Sequence, residues 1–209
     1  NAVTIMQMDR SLPAPAAKVR DVIDRQLRHL TRLVDDLLDV SRLTTGKIKL
    51  RRERVDLTGV LAQSIETARP LIEERRHKLV VDVPPDGLVV DGDATRLAQV
   101  AQNLLVNAAK YTPEGGRIDV SARVTGTEAI VSVRDNGRGI DAEDLERIFD
   151  LFAQGESGPN ATVDTGLGVG LALAKALVHM HGGTMEAHSE GRGRGATFSF
   201  RMPLTMTLH

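Results

Sequence analysis

The sequence predicts an α+β protein: a two-layer α/β sandwich domain preceded by an α-helical hairpin that is truncated at its N-terminus. Three observations carry that expectation. A heptad-like apolar run occupies positions 23–37, period-two alternation recurs in four segments after residue 116, and about three helical segments are interspersed with the strands. With 209 residues, 41% of them hydrophobic, the chain can bury the core of one medium domain plus an extra element.

Composition excludes several classes. The formal net charge is -1 with both signs interspersed, so neither a nucleic-acid track nor an electrostatic membrane patch is expected. There are no cysteines, which removes disulfides, thiol nucleophiles and cysteine-based zinc sites. No window approaches the roughly 18 uninterrupted apolar residues of a membrane span, and no signal peptide opens the chain. A soluble, cytoplasmic domain is expected, and a membrane anchor on a longer parent stays open. The chain starts at Asn1 in NAVTIMQMD, which reads as the inside of a helix without a cap, so an excised piece of a longer protein is expected.

The elements follow in order. Ile23, Leu27, Leu30, Val34 and Leu37 are spaced by fours and threes, and Leu33, Leu38 and Val40 widen the stripe beyond what a lone surface helix needs. Packing in a bundle, including across a dimer, is the expectation. SLPAPAA before it breaks any helix through residues 1–10, giving a hairpin with a short first arm. Gly46 marks the stop, and the domain boundary falls near residue 53, dividing a hairpin at 1–52 from a domain at 53–209. Asp56 starts a helix, KLVVDVP and LVVDGD read as strands, and Asp93 caps the next helix. RIDVSARVT, EAIVSVRD, TMEAHSE and ATFSFRMPL alternate, with helices expected at DAEDLERIFDLF and GVGLALAKALVHMH.

Four short stretches carry chemistry. In QNLLVNAAKYTPEGG, residues 102–116, Asn103 and Asn107 share one helix face that Lys110 and Tyr111 extend by a turn. Taken alone, the amides read as readily as buried side chains satisfied by backbone. DNGRGI puts Asp135 at a strand end, where Gly137 and Gly139 let backbone approach a flat ligand; alone, it reads as a turn. In TGLGVGLALAK three alternate glycines lead into a helix, the arrangement that offers free N–H groups to phosphates. Leu171 stands where a dinucleotide fingerprint needs glycine, and the P-loop ending Gly-Lys-Ser/Thr is missing. GRGRGATFSF places Gly193 and Gly195 before a strand.

Together, in this order and spacing, these stretches resemble the ATP-binding catalytic domain of bacterial sensor histidine kinases, within the GHKL (Bergerat-fold) superfamily of gyrase, mismatch-repair and heat-shock-chaperone ATPases. QNLLVNAAKYTPEGG resembles the N box, and DNGRGI, GLGVGL and GRGATF resemble three glycine boxes. IFDLFAQ resembles the phenylalanine box, and RLVDDLLDVSRLTTGKIKL resembles the second helix of the dimerisation and histidine-phosphotransfer hairpin. The resemblance covers nearly the whole chain.

It implies an ATP site built from Asn103, Asn107, Lys110, Tyr111, Asp135, Gly137, Gly139, Ile140, Phe152, Gly166, Leu167, Gly168, Val169, Gly170, Leu171 and Thr197. Asn107 corresponds to the amide that ligates Mg²⁺, with Asn103 beside it. A neutral carbonyl oxygen suits a hard cation already neutralised by phosphates. Lys110 corresponds to a phosphate contact, Tyr111 to the residue flanking base and ribose, and Asp135 to the acceptor for adenine's exocyclic amine. AQGESGPNATVDT corresponds to a mobile lid, and also reads as an ordinary loop.

The family's phosphoacceptor box, His-Glu-x-x-Thr/Asn-Pro, is absent from the sequence, and the chain resembles one that begins a turn or two beyond it. His29 is followed by Leu30 instead of an acid and reads as a plain helix residue. His179 and His181 stand at i and i+2 of a helix end and point apart, which argues against a metal pair; the six methionines read as packing. The implied activity is transfer of ATP's γ-phosphoryl to a histidine upstream of this chain, then to an aspartate of a response-regulator receiver domain. The parent is expected to be a homodimer joined through the hairpin, and the chain alone is expected to bind ATP without autophosphorylating. A serine kinase of the anti-sigma-factor type, against which the hairpin argues, and a nucleotide-gated interaction module remain as alternatives.

Overall fold

In chain order the elements are β1 (Glu53–Asp56), α1 (Leu57–Glu74), β2 (Lys78–Asp82), β3 (Val89–Gly92), α2 (Ala94–Tyr111), β4 (Arg117–Thr125), β5 (Glu128–Asp135), α3 (Ala142–Leu145), α4 (Gly170–Met180), β6 (Thr184–His188) and β7 (Ala196–Pro203). This computed structural model describes residues 45–153 and 168–205, and before them positions 19, 22, 23, 26, 27, 30, 31, 34 and 37–42. The short first arm in residues 1–10, His29, Leu33, residues 154–165 of the expected lid, Gly166 and Leu167 lie outside the described residues.

The chain divides into two compact units, residues 1–46 and 47–209. In the first, the described positions from 19 to 42 are helical. Ile23, Leu27, Leu30, Val34 and Leu37, which form the expected seam, are all exposed.

In the second unit, alternation becomes a five-stranded sheet of order β2-β4-β5-β7-β6, antiparallel except for the parallel β2–β4 pair. Ile118, Val120 and Ala122 of β4, Val131 and Val133 of β5, and Phe198, Phe200 and Met202 of β7 are buried. Their neighbours in sequence form polar cross-strand links instead, such as Ser132 to Ser199 at 2.8 Å and the ion pair of Arg201 with Glu186 at 3.0 Å. One apolar face and one polar face make a two-layer domain, as the period of two requires.

Helices α1, α2 and α4 form the second layer, α1 packing on α2 and α2 on α4. Leu97, Leu104, Leu105, Leu173 and Leu177 are fully buried there, each contributing about 1.5–3 kcal/mol of apolar transfer. Asp56 accepts from the backbone N–H of Thr58, and Asp93 from that of Arg96, so both expected caps are formed.

Two features depart from the sequence expectation. Residues 53–56, where no strand is expected, form β1, which pairs antiparallel with β3 of LVVDGD in a separate two-stranded sheet. The helix expected over DAEDLERIFDLF is only one turn long. Arg147, Asp150 and Ala153 donate their N–H groups three residues back, to Asp144, Arg147 and Asp150, and Phe152 adopts φ 66°. The tighter turns bend the segment around a cavity, which a straight helix could not do.

Candidate functional site

The end of β5, the C-terminal half of α2, the segment 138–153, the start of α4 and the start of β7 enclose a cavity of about 740 Å³. That size suits a ligand of nucleotide dimensions. Asn107, Tyr111, Asp135, Gly139, Ile140, Phe152 and Leu171, all expected from sequence, line it.

Asp135 sits at its inner end, 6% exposed. Its Oδ1 accepts the N–H of Gly137 at 2.8 Å. Burial pushes its carboxyl above the usual carboxylate range, while the N–H groups of Gly137 and Ala196 pull the other way. A buried carboxylate on a cavity wall is a hydrogen-bond acceptor that water does not saturate.

The loop after Asp135 is held by close backbone contact. Gly137 carbonyl accepts from Gly195 N–H at 3.1 Å, and Arg138 carbonyl accepts from Gly193 N–H at 2.6 Å. Gly139 has φ 70°, and a Cβ there would run into the carbonyl of Gly191. Ile140 N–H donates to Ser189 Oγ at 3.0 Å, and that hydroxyl donates to Gly195 carbonyl at 2.7 Å. The first and third glycine motifs are therefore one surface, joined across β5 and β7.

The two asparagines separate. Asn107 faces the cavity, whereas Asn103 Nδ2 donates to Gly170 carbonyl at 3.0 Å and fastens α2 to the start of α4. Lys110 lies beside the cavity wall, its Nζ 5.3 Å from the Tyr111 ring centroid. Gly168, with φ 69°, accepts the N–H of Phe152 through its carbonyl at 3.1 Å. Gly168, Val169, Gly170 and Gly137 thus support the walls without being among the lining residues. Thr197 is turned away: Ala196 and Phe198 face the cavity, and strand alternation puts the residue between them on the opposite face.

The walls include residues that sequence reasoning did not single out. Arg138, within DNGRGI, stacks its guanidinium 4.2 Å from the Tyr111 ring centroid. Asp141, at the N-cap position of α3, gives its carboxylate to Arg192 Nε at 2.6 Å instead of to the helix. Asp144, Arg147 and Ile148 come from the bent segment, and Phe198 is buttressed by Phe149 edge to face at 6.5 Å. Position within a glycine motif was the only available signal for Arg138 and Arg192. No periodicity marks either one.

His181 stands apart from the cavity with both ring nitrogens engaged, by Asp93 N–H and by Leu177 carbonyl. Among the described residues, no three His, Cys, Asp or Glu side chains converge as a metal cluster, and no helix is long and apolar enough to cross a membrane.

Residues 92–206, more than half of the chain, match the family described as histidine kinase-, DNA gyrase B-, and HSP90-like ATPase. The chain belongs to that family, and this domain is an ATP-binding one. "Probable sensor histidine kinase TcrY" of Mycobacterium tuberculosis is 33% identical over 157 residues, 75% of this chain and 32% of that protein. The alginate biosynthesis sensor protein KinB of Pseudomonas aeruginosa is 35% identical over 161 residues, 73% of this chain and 27% of that protein. Full-length ShkA, solved in complex with AMPPNP, superposes with a TM-score of 0.77 at 30% identity, over 94% of this chain and 40% of that one. The chain spans about a third or less of the curated relatives named here. Its sheet and helices are those of a histidine-kinase catalytic domain.

Proposed function

We propose that this chain is the ATP-binding part of a two-component sensor histidine kinase, and that the cavity between Asn107 and Asp135 takes ATP. The observation that carries the reading is the buried Asp135 carboxylate at the cavity's inner end, with Asn107 on the wall formed by α2. Asp135 accepts from adenine's exocyclic amine, which guanine lacks at that position. Gly139 keeps the base plane close to backbone, and Gly137 orients the Asp135 carboxylate through its N–H. Asn107, one turn from Tyr111, stands toward the triphosphate with Lys110.

The residues fit Mg²⁺ carried in with the nucleotide. Asn107, on the cavity wall, would hold a hard cation through its neutral carbonyl oxygen. When bound, Mg²⁺ neutralises charge on the phosphates during transfer. This chain's own contribution is to orient: Asp135 holds the base end, Asn107 and Lys110 the phosphate end, and Leu171 with Phe152 limits access of water. The γ-phosphorus–oxygen bond to ADP breaks as a bond to an imidazole nitrogen forms, and the imidazole's proton passes to the carboxylate that follows the histidine in the His-Glu-x-x-Thr/Asn-Pro box of the hairpin. The phosphoryl group then moves to an aspartate of a response-regulator receiver domain. In the parent, the exposed seam of residues 23–37 pairs two copies through the hairpin.

The test is incubation of the chain with γ-labelled ATP and Mg²⁺, alone and with a hairpin polypeptide carrying His-Glu-x-x-Thr/Asn-Pro. Label that appears on the added hairpin only, stable to alkali and lost in acid, is the expected result. Acid-stable label on a serine, or no label on the hairpin despite ATP binding, counts against a histidine kinase.

A further inference from the structure

We propose that Arg138 is a positioning residue of this cavity, fixing the Tyr111 ring as the rim between its base end and its phosphate end. The inference rests on the reading of the cavity as the nucleotide site.

Tyr111 is the last residue of α2, 38% exposed, and no following helical turn covers its ring. A half-exposed aromatic at a helix end has more than one rotamer available unless something holds it. Here the guanidinium carbon of Arg138 lies 4.2 Å from the ring centroid, well inside the range of a cation–π stack and closer than Lys110 Nζ at 5.3 Å. Arg138 is itself pinned at both backbone groups. Its N–H donates to Tyr111 carbonyl at 3.1 Å, and its carbonyl accepts from Gly193 at 2.6 Å. One residue therefore joins the end of α2, the loop after β5 and the loop before β7.

Both stacked side chains line the cavity. Gly137, the neighbour of Arg138, donates its N–H to Asp135 Oδ1, so the loop that orients the base-reading carboxylate also orients the stack. Arginine's planar, delocalised cation matches an aromatic face better than lysine's point charge. The position thus calls for this residue type for a reason that no glycine motif contains.

Tyr111 is the chain's single tyrosine, and there is no tryptophan. Tyrosine near-ultraviolet circular dichroism and emission therefore report this ring alone, without any ligand. In the full chain, Arg138→Gln and Arg138→Met are expected to collapse the tyrosine dichroism while leaving the far-ultraviolet spectrum intact. Arg138→Lys should restore part of it. Affinity for ATP and for ADP, each with Mg²⁺, should fall by the same factor, roughly two- to thirtyfold. Arg138→Gln added to Tyr111→Leu should weaken binding no further than Tyr111→Leu alone. An unchanged tyrosine band overturns the proposal. So does a larger loss for ATP than for ADP, which would mean a direct phosphate contact, and so does additivity in the double variant. Should wild type fail to bind ATP, the nucleotide reading falls, while the ligand-free dichroism still decides whether Arg138 fixes Tyr111.

Discussion

The backbone N–H of Asp93 donates to Nε2 of His181 at 2.9 Å, while the Nδ1–H of the same ring donates to the Leu177 carbonyl at 2.7 Å. This bond joins the N-cap of α2 to the C-cap of α4. It sits at the far ends of two helices whose near ends carry Asn107, Tyr111 and Leu171 into the cavity. It also fixes the tautomer, since a protonated ring has no acceptor to offer Asp93. Arg51 N–H donates to the Asp93 carboxylate at 3.0 Å, and Arg52 reaches the Asp91 carboxylate and the Met180 carbonyl, so the segment before β1 is bound at the same junction.

Acid should loosen that junction. Burial pushes His181 below its ordinary range, opposed by its bond to Leu177. The unfolded chain therefore takes up the proton first as pH drops through about 6.5, and stability present above that pH is lost below it. Burial would raise the Asp93 carboxyl, but the N–H groups of Arg51, Arg96 and Thr95 outweigh it and keep its titration below this window. Urea unfolding between about pH 7.5 and 5.5 should show wild type losing more stability than His181→Gln. Equal losses would remove His181 as the cause.

Asp135 should exchange stability for binding. Its carboxyl is raised by burial, so the unfolded chain ionises first as pH rises above the ordinary carboxylate value, and the folded state is penalised from there upward through neutral pH. Asp135→Asn keeps an acceptor for Gly137 N–H without the charge. Ligand-free Asp135→Asn should unfold at or above the wild-type temperature at neutral pH, while its ATP affinity falls by about ten- to a hundredfold. A variant that is both less stable and unimpaired in binding would contradict this account.

The asparagines should differ in kind. Asn103 holds the start of α4 through Gly170, so Asn103→Ala should cost about 1–2 kcal/mol of stability. Asn107 faces the cavity, so Asn107→Ala should leave stability near wild type and weaken the Mg²⁺ dependence of ATP binding. Unfolding curves paired with titrations at varied Mg²⁺ separate the two. A reversal of these roles would return the cation to Asn103.

Gly139→Ala should damage the site through backbone. Its φ of 70° already costs an alanine about 1 kcal/mol or more, and the added Cβ meets the Gly191 carbonyl. Loss of ATP binding with a lowered unfolding temperature is expected. Preserved binding would show that the two glycine loops can part without consequence.

Much of this was legible because some residues report their own environment. Ile118, Val120 and Ala122 announce a strand with one buried face, and Asp56 and Asp93 announce helix starts. Strand β1 gave no such signal, as only Val55 of its four residues is buried and its pairing with β3 crosses an 18-residue helix. The apolar residues Ile148, Phe149, Leu151 and Phe152 imitate a helix face, while the carbonyls of Asp144, Arg147 and Asp150 around them accept at the shorter spacing of a tight turn. Thr197 belongs to the third glycine motif, yet a motif gives neighbourhood but not strand phase. Its neighbours Ala196 and Phe198 occupy the wall. Arg138 and His181 act through partners far along the chain, Gly193 and Asp93, and no local pattern encodes a distant partner.

Calorimetric titration of the chain with ATP and with GTP in Mg²⁺, for wild type and Asp135→Asn, decides whether an adenine-nucleotide site lies between Asn107 and Asp135. Wild type should show one site for ATP and at least about tenfold weaker binding of GTP, and Asp135→Asn should lose ATP affinity by a similar factor. Equal affinity for ATP and GTP, or ATP affinity unchanged in Asp135→Asn, would contradict it.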